Sequence, residues 1–171
     1  LDKTKMTALE HDEKNIAFEI VEPEKVIESQ YITRSIVGRA DELTIQAKEL
    51  SQQNVIASKL SNLSLQLYSI MLKSGYAKSK EEMQEIMTYF NNQLPDYSIE
   101  DLGFREKLWL YKAHLWYSFL VQDFLSCYKY SSKWVNLFND NQQMIFINPV
   151  WYIKGNSYLL ECLYLIKHKS Y

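Results

Sequence analysis

A segment that recurs three times along the 171-residue chain constrains its fold more than any other feature. Each copy places four mostly apolar or aromatic side chains at helical spacing and ends in a small or polar residue followed by an aromatic one. The copies are Leu63, Leu67, Tyr68 and Met71 before Gly75-Tyr76; Tyr111, Leu115, Trp116 and Phe119 before Asp123-Phe124; and Tyr158, Cys162, Leu163 and Ile166 before Ser170-Tyr171. Offsets of 48 and 47 residues separate the copies. A fixed period of this size is typical of an array of repeated units that bury their apolar faces against one another.

The repeated units are predicted to be helical. The chain contains only four Gly and three Pro, and its apolar residues recur at steps of three to five rather than two. We place Pro23 in the first turn of a helix whose apolar stripe runs from Val26 to Leu50, with an interruption at Gly38. A second helix is predicted from Val55 to Ser74, and Gly75 suits the left-handed position that ends it.

The remaining helix boundaries also follow from capping chemistry. Ser79 and Glu82 match a capping box, and Pro95 closes the helix that they begin. Residues 104–122 form a helix that is apolar on nearly every side and must therefore be covered on more than one face. A shorter helix follows the corner at 123–124 and ends near 139. The run 144–147 is expected to be a loop that plugs the core, and Asn148-Pro149 begins a last helix over 150–168.

These elements predict an all-α chain in two parts. Residues 1–54 form an N-terminal helical segment whose first 22 residues are polar and form either a helix or a loosely held arm. Residues 55–171 contain the repeats, at 55–95, 104–140 and 149–171, the last of which is incomplete. Because the chain begins at Leu1 and its third copy stops after one helix, we expect it to be part of a longer protein.

Composition excludes several classes of function. The net charge is −2 without a basic block, so this segment is not expected to contact nucleic acid. No run of about 18 apolar residues exists, which predicts no membrane span.

Cys127 and Cys162 lack metal-ligand spacing and are expected to be buried thiols in a reducing compartment, the cytoplasm. A structural disulfide between them is the alternative. We predict no metal and no cofactor.

The turn and core residues resemble those of the tetratricopeptide-repeat superfamily. Gly75-Tyr76 and Asp123-Phe124 are similar to the family's turn, Tyr111 and Leu115 to its first-helix core residues, and Cys127 to its small second-helix residue. The period departs from the usual value of about 34 residues, and the small residue before the first-helix aromatic is missing. The resemblance covers residues 55–171 and implies stacked antiparallel helix hairpins in a right-handed superhelical solenoid.

No catalytic constellation is evident in the sequence. None of His11, His114 and His168 lies in a metalloprotease motif, and no glycine-rich phosphate loop or nucleophile elbow occurs. His114 is predicted to lie in the core or at a groove edge. Glu81, Glu82 and Glu85 suit the dipole of a helix N-terminus better than a metal site. We therefore expect a protein that is not an enzyme.

The resemblance instead implies a protein–protein interaction scaffold that holds a peptide or partner protein on a concave helical surface. In the similar family the first helices line that surface, and the positions that match them are Tyr68, Trp109, Lys112, Trp116 and Asn156. Tyr68 and Trp116 are equivalent in the repeat and would form an aromatic stripe, while Lys112 and Asn156 would donate hydrogen bonds to a carboxylate or a backbone. The competing interpretation is that the two tryptophans are core residues.

Two further hypotheses remain open. Long-period arrays of this kind occur in bacterial proteins whose neighbouring domains carry the output, so the chain is alternatively the sensor segment of a bacterial transcription regulator whose DNA-binding domain lies outside it. The other is a homodimer formed through exposed terminal helices. In that case the apolar face of Tyr158, Leu159, Cys162, Leu163 and Ile166 would be open.

Overall fold

The computed structural model describes residues 1–30 and 36–169, and the regular secondary structure of that part of the chain is helical, without a strand. The prediction of an all-α protein is therefore confirmed. The chain divides into two compact units, Leu1–Ile56 and Ala57–Tyr171, and the division falls within one long helix. Two sequence features, Tyr31 of the first apolar stripe and the turn Ser170-Tyr171 of the third copy, lie outside the described residues.

The N-terminal unit consists of helices α1 (Asp2–Glu10) and α2 (Lys14–Gln30) and the first part of α3 (Arg39–Ser74). Its small core takes alanine and branched side chains from all three helices: Ala8, Ala17, Val21, Leu43, Ala47 and Leu50. Beside this core Lys5 pairs with the buried carboxylate of Glu24 at 2.5 Å. Residues 1–22 are thus built into helices rather than forming a loose arm.

Two boundaries predicted for the N-terminal region are wrong. Pro23 lies inside α2 rather than in its first turn, because burial of Ala17 and Val21 in the preceding turns holds the helix together despite the missing N–H. The predicted gap between helices at residues 50–55 does not exist, since α3 is continuous from Arg39 to Ser74. Residues 51–54 are polar, but none is Gly or Pro, so nothing local stops the helix. Gly38, with φ of +87°, does mark a break immediately before α3.

The second unit contains the rest of α3, five further helices and a 3₁₀ turn at Ile99–Asp101. They are α4 (Lys80–Gln93), α5 (Phe104–Leu120), α6 (Phe124–Asn139), α7 (Gln142–Ile147) and α8 (Pro149–Lys169). Helix α5 packs on both α4 and α6, and α6 packs on α8. The predicted helix ends at Gly75, which has φ of +69°, and at Pro149 are confirmed. The run 144–147 is helical rather than a loop, although Met144 does plug the core as expected.

Side-chain caps fix the starts of α4 and α6. The Ser79 hydroxyl accepts a hydrogen bond from the Glu82 amide at 3.1 Å, while Glu82 reaches back to the amide of Lys78 at 2.7 Å. The predicted capping box is thus present, with its return bond one residue earlier than usual. Asp123 caps α6 by accepting from the Ser126 amide at 3.0 Å.

Hydrogen bonds join two of the inter-helix turns of the second unit. The amide of Ala77 donates to the carbonyl of Leu120 at 2.8 Å, and the Gln122 side chain donates to the carbonyl of Ala77 at 3.0 Å. Gln122 adopts φ of +58°, a left-handed conformation that non-glycine residues seldom take. These bonds hold the turn after α3 against the turn after α5.

Helix α5 is buried on several faces, as its composition predicts. Leu115 and Phe119 enter a core shared with α6, α7 and α8, whereas Ala113 and Leu120 enter a core shared with α3 and α4. Cys127 and Cys162 are free, fully buried thiols within the first of these cores. The expectation that Cys162 lies on an open apolar face is therefore wrong; the exposed apolar side chains of α8 are Val150, Ile153, Leu160, Leu163 and Tyr164.

Candidate functional site

Four of the five residues predicted to bind a partner line one cavity in the second unit. Tyr68 of α3 and Trp109, Lys112 and Trp116 of α5 surround a space of about 170 Å³. On α5 these three residues recur at i, i+3 and i+7, which places them on one face of the helix. Asn156 is not among the lining residues, and its side-chain amide donates to the carbonyl of Tyr152 in its own helix at 2.9 Å.

Residues of two later helices complete the cavity. Trp134 of α6 and Trp151, Lys154 and Tyr158 of α8 form its other walls, and Ser64 and Leu65 of α3 close it. The sequence contains a signal for this arrangement that the 48-residue period conceals. The pattern Trp-x-x-Lys-x-x-x-aromatic occurs at Trp109-Lys112-Trp116 and again, 42 residues later, at Trp151-Lys154-Tyr158.

Aromatic rings form a continuous wall around the space. Tyr68 and Trp116, the equivalent positions of the repeat, contact each other with centroids 4.8 Å apart, and Trp116 contacts Tyr158 edge to face at 5.6 Å. Trp151 meets Trp109 at 5.9 Å and Trp134 at 6.3 Å. Trp109 and Trp116 are half-buried and line the cavity, and Trp116 also packs against both cores of this unit.

Close helix packing positions the central tryptophan. The Trp134 indole is 1% exposed and its Nε1 donates to the carbonyl of Trp151 at 3.0 Å. Gly155 of α8 makes this possible, because a Cβ at that position would lie 2.8 Å from the indole ring. The glycine therefore serves close approach of the helix to the ring rather than an unusual backbone angle.

Lys112 is the chemically unusual group of this site. Only 3% of its surface is exposed, and among the described residues its Nζ has no hydrogen-bond partner. The amine lies among three indoles, 2.8 Å from the ring centroid of Trp151, 4.1 Å from that of Trp109 and 5.1 Å from that of Trp134. The described residues that line the cavity include no Asp or Glu. The sequence predicted a hydrogen-bond donor at this position, but not that the described lining of the cavity would lack an acidic side chain.

The electrostatics of the cavity oppose a charge on Lys112. Burial, and secondly the positive charge of Lys154, lower the pKa of Lys112 to about 6. The faces of the three indoles act in the opposite direction, because their quadrupoles attract an ammonium ion. Burial also raises the pKa of the Tyr158 hydroxyl, so that phenol stays neutral and able to donate a hydrogen bond.

His114 lies outside the cavity, on the opposite side of α5. Its imidazole stacks on Tyr130 at 4.2 Å and meets Phe90 edge to face at 5.0 Å. Burial, together with Lys133 and Lys129, lowers the pKa of His114 to about 4. This is a core histidine between α4 and α6, one of the two positions that the sequence predicted.

Neither a metal cluster nor a membrane-spanning helix occurs in the described part of the chain. Within residues 1–30 and 36–169 no group of three or more His, Cys, Asp or Glu side chains is arranged to hold a metal ion. None of the helices over those ranges combines the length and apolarity needed to cross a membrane. Comparisons of the chain with protein-family models, curated proteins and solved structures each gave no match.

Proposed function

We propose that the second unit is a tetratricopeptide-like stack of helical hairpins, wound as a right-handed solenoid, that acts as a scaffold for a peptide or partner protein. The observation that carries this proposal is the aromatic cavity that Tyr68, Trp109, Lys112 and Trp116 line together. Aromatic anchors beside a few polar groups are what a peptide site requires. The bonded turns at Ala77 and Gln122 support the stacking of consecutive hairpins.

The lining suggests which part of a partner enters. A volume of about 170 Å³ fits a single side chain rather than a helix. Ser64, Lys112, Lys154 and the two tyrosines supply donors, and no carboxylate among the described lining residues competes for them. The partner segment would therefore insert an aromatic or branched side chain and accept hydrogen bonds through a backbone carbonyl or a carboxylate.

A displayed random-peptide library selected on the immobilised protein tests this function, because the selection itself identifies the sequences that bind. Peptides that are enriched should bind the Tyr68→Ala variant about 5 to 30 times more weakly, the range for a contact worth about 1–2 kcal/mol. Tyr68 suits the test because it is 38% exposed, so its removal leaves the core largely intact.

Tyr128→Ala is the matched control. Tyr128 is 41% exposed and lies on α6 outside the cavity lining. Enriched peptides should bind this variant as they bind the native protein. Selection that enriches no sequence, or peptides that lose equal affinity for both variants, would refute a binding role for the cavity. The alternative of a sensor segment in a transcription regulator and the homodimer stay predictions.

A further inference from the structure

A buried primary amine without a partner is an expensive feature to keep in a helical core. An amine that loses its hydrogen bonds to water and gains none costs stability, and Lys112 has no bonded partner for Nζ among the described residues. The charged or titratable groups that reach the cavity are Lys154 and Tyr158 from α8 and Tyr68 from α3; α6 contributes only Trp134 to the described lining. None of these groups is an acid that would pair with an ammonium ion.

These surroundings favour the free-base form of the amine. An apolar enclosure and a neighbouring cation are the two conditions that activate a lysine as a nucleophile. Lys112 has both, because it is 3% exposed and Lys154 lies over the same Trp151 ring, 5.4 Å from its centroid. The pKa of about 6 for Lys112 agrees with this geometry. At pH 7 roughly nine-tenths of such amines carry a lone pair, against about 0.04% for an exposed lysine with a pKa near 10.4.

The space beside the amine is large enough for a small organic reactant. The cavity measures about 170 Å³, and an apolar protein cavity of about 150 Å³ is known to hold benzene. Its walls include the indoles of Trp109, Trp116, Trp134 and Trp151, which suit a flat or branched apolar group. A reactant of this size would bring its polar end to the buried amine of Lys112.

We propose that Lys112 is a carbonyl-capture residue, whose Nζ forms a reversible imine with a small aldehyde or ketone bearing an aromatic or branched apolar group. The nitrogen lone pair forms the new bond to the carbonyl carbon, and the nitrogen passes one of its two protons to the carbonyl oxygen, which gives a carbinolamine. The carbon–oxygen bond then breaks, the oxygen leaves as water and the nitrogen loses its remaining proton, which leaves a carbon–nitrogen double bond. No oxidant or reductant takes part.

Lys154 suits the proton transfers of this reaction. It is exposed and lines the same cavity. Its ammonium group supplies the proton that makes the departing oxygen a water molecule, and the proton returns when the captured nitrogen gives up its own. Lys154 thus has two roles, since its positive charge also disfavours a second ammonium ion at Lys112.

Reductive trapping of benzaldehyde on the wild-type protein tests the proposal. The protein is incubated at pH 7 with benzaldehyde and sodium cyanoborohydride, which reduces any imine to a stable benzylamine, and the modified lysines are mapped by mass spectrometry after digestion. Lys133 is the internal reference, because it is exposed on α6. Lys112 should be modified at least about ten times faster than Lys133, and its rate should level off above about pH 6.

Two variants sharpen the outcome. Lys112→Arg should remove the rapid modification and leave that of the other lysines unchanged, because a guanidinium does not form this imine. Lys154→Met should move the midpoint of the Lys112 pH profile upward. Modification of Lys112 no faster than that of Lys133, or only after unfolding in urea, would overturn the proposal. The test uses no partner, so it remains decisive whether or not the peptide-binding function holds.

Discussion

Replacing Lys112 with methionine should stabilise the protein, against the usual outcome for a substitution in a core. The change removes a buried amine that has no partner among the described residues and keeps an unbranched side chain of similar shape. A lysine whose pKa is about 6 in the folded chain must lose its proton to fold at pH 7. From an unfolded pKa near 10.4, that loss costs about 5 kcal/mol, at 1.36 kcal/mol for each pH unit.

The free-energy cost of deprotonating Lys112 on folding depends on pH, and this dependence distinguishes it from other effects of the substitution. The folded pKa lies below the unfolded one, so between about pH 6 and pH 10.4 the unfolded chain binds more protons, and the free energy of unfolding rises with pH. At pH 9 the cost falls to about 2 kcal/mol. The stability gain from Lys112→Met should therefore shrink by about 3 kcal/mol between pH 7 and pH 9.

Urea denaturation followed by tryptophan fluorescence measures this difference, because all four tryptophans lie in the second unit. Lys133→Met is the control; its side chain is exposed, so its effect should be the same at both pH values. A gain from Lys112→Met that is equal at pH 7 and pH 9 would refute the reasoning. It would mean that the three indole faces, worth about 0.5–2 kcal/mol each, keep the amine charged.

Three further measurements follow from the same core. Gly155→Ala should lower the free energy of unfolding, measured by urea denaturation, by about 1–2 kcal/mol. A Cβ at position 155 would lie 2.8 Å from the Trp134 ring, and this overpacking outweighs the better helix propensity of alanine. An unchanged urea midpoint would show that the ring moves aside. The pKa of His114 is lowered to about 4 in the folded protein, so as pH falls through 6.5 the unfolded chain takes up a proton before the folded one does. Acidification from pH 7 to pH 5 should therefore lower the free energy of unfolding by about 2 kcal/mol more in the native protein than in His114→Phe. Equal acid sensitivity of the two proteins would contradict this. A hydrogen bond to Cys162 and burial raise the pKa of Cys127, and full burial shields the Cys162 thiol from reagents. Neither thiol should therefore react with iodoacetamide at neutral pH until urea unfolds the chain, and rapid alkylation of the folded protein would show that the core opens.

Local sequence chemistry was a good guide to the helix ends of the second unit. The cap formed by Ser79 and Glu82, the stop at Gly75 and the start at Pro149 each depend on residues within about one turn of the boundary. The same approach failed where packing outweighed a local preference. Pro23 stays inside α2, and α3 continues through the polar residues 51–54 that were expected to separate two helices.

The residues of the candidate site were likewise predicted only in part. The repeat placed Tyr68 and Trp116 at equivalent positions, and their rings do contact each other. It aligned Asn156 with Trp109, yet the residues of α8 that reach the cavity are Trp151, Lys154 and Tyr158. Aligning the repeats identifies residues that occupy equivalent positions in their own repeat. The lining of a cavity depends instead on which side chains of neighbouring repeats point into the same space.

The sequence by itself determined that this chain is helical, where α4, α5, α6 and α8 begin and end, and that one face of α5 presents Trp109, Lys112 and Trp116 together. These properties depend on periodicity and on capping groups close in sequence. Only the tertiary structure decided that Lys112 lies among indoles from three helices, with no acid beside it in the described part of the chain. The protonation state of an amine depends on every group that replaces its water, and those groups come from positions up to 48 residues away.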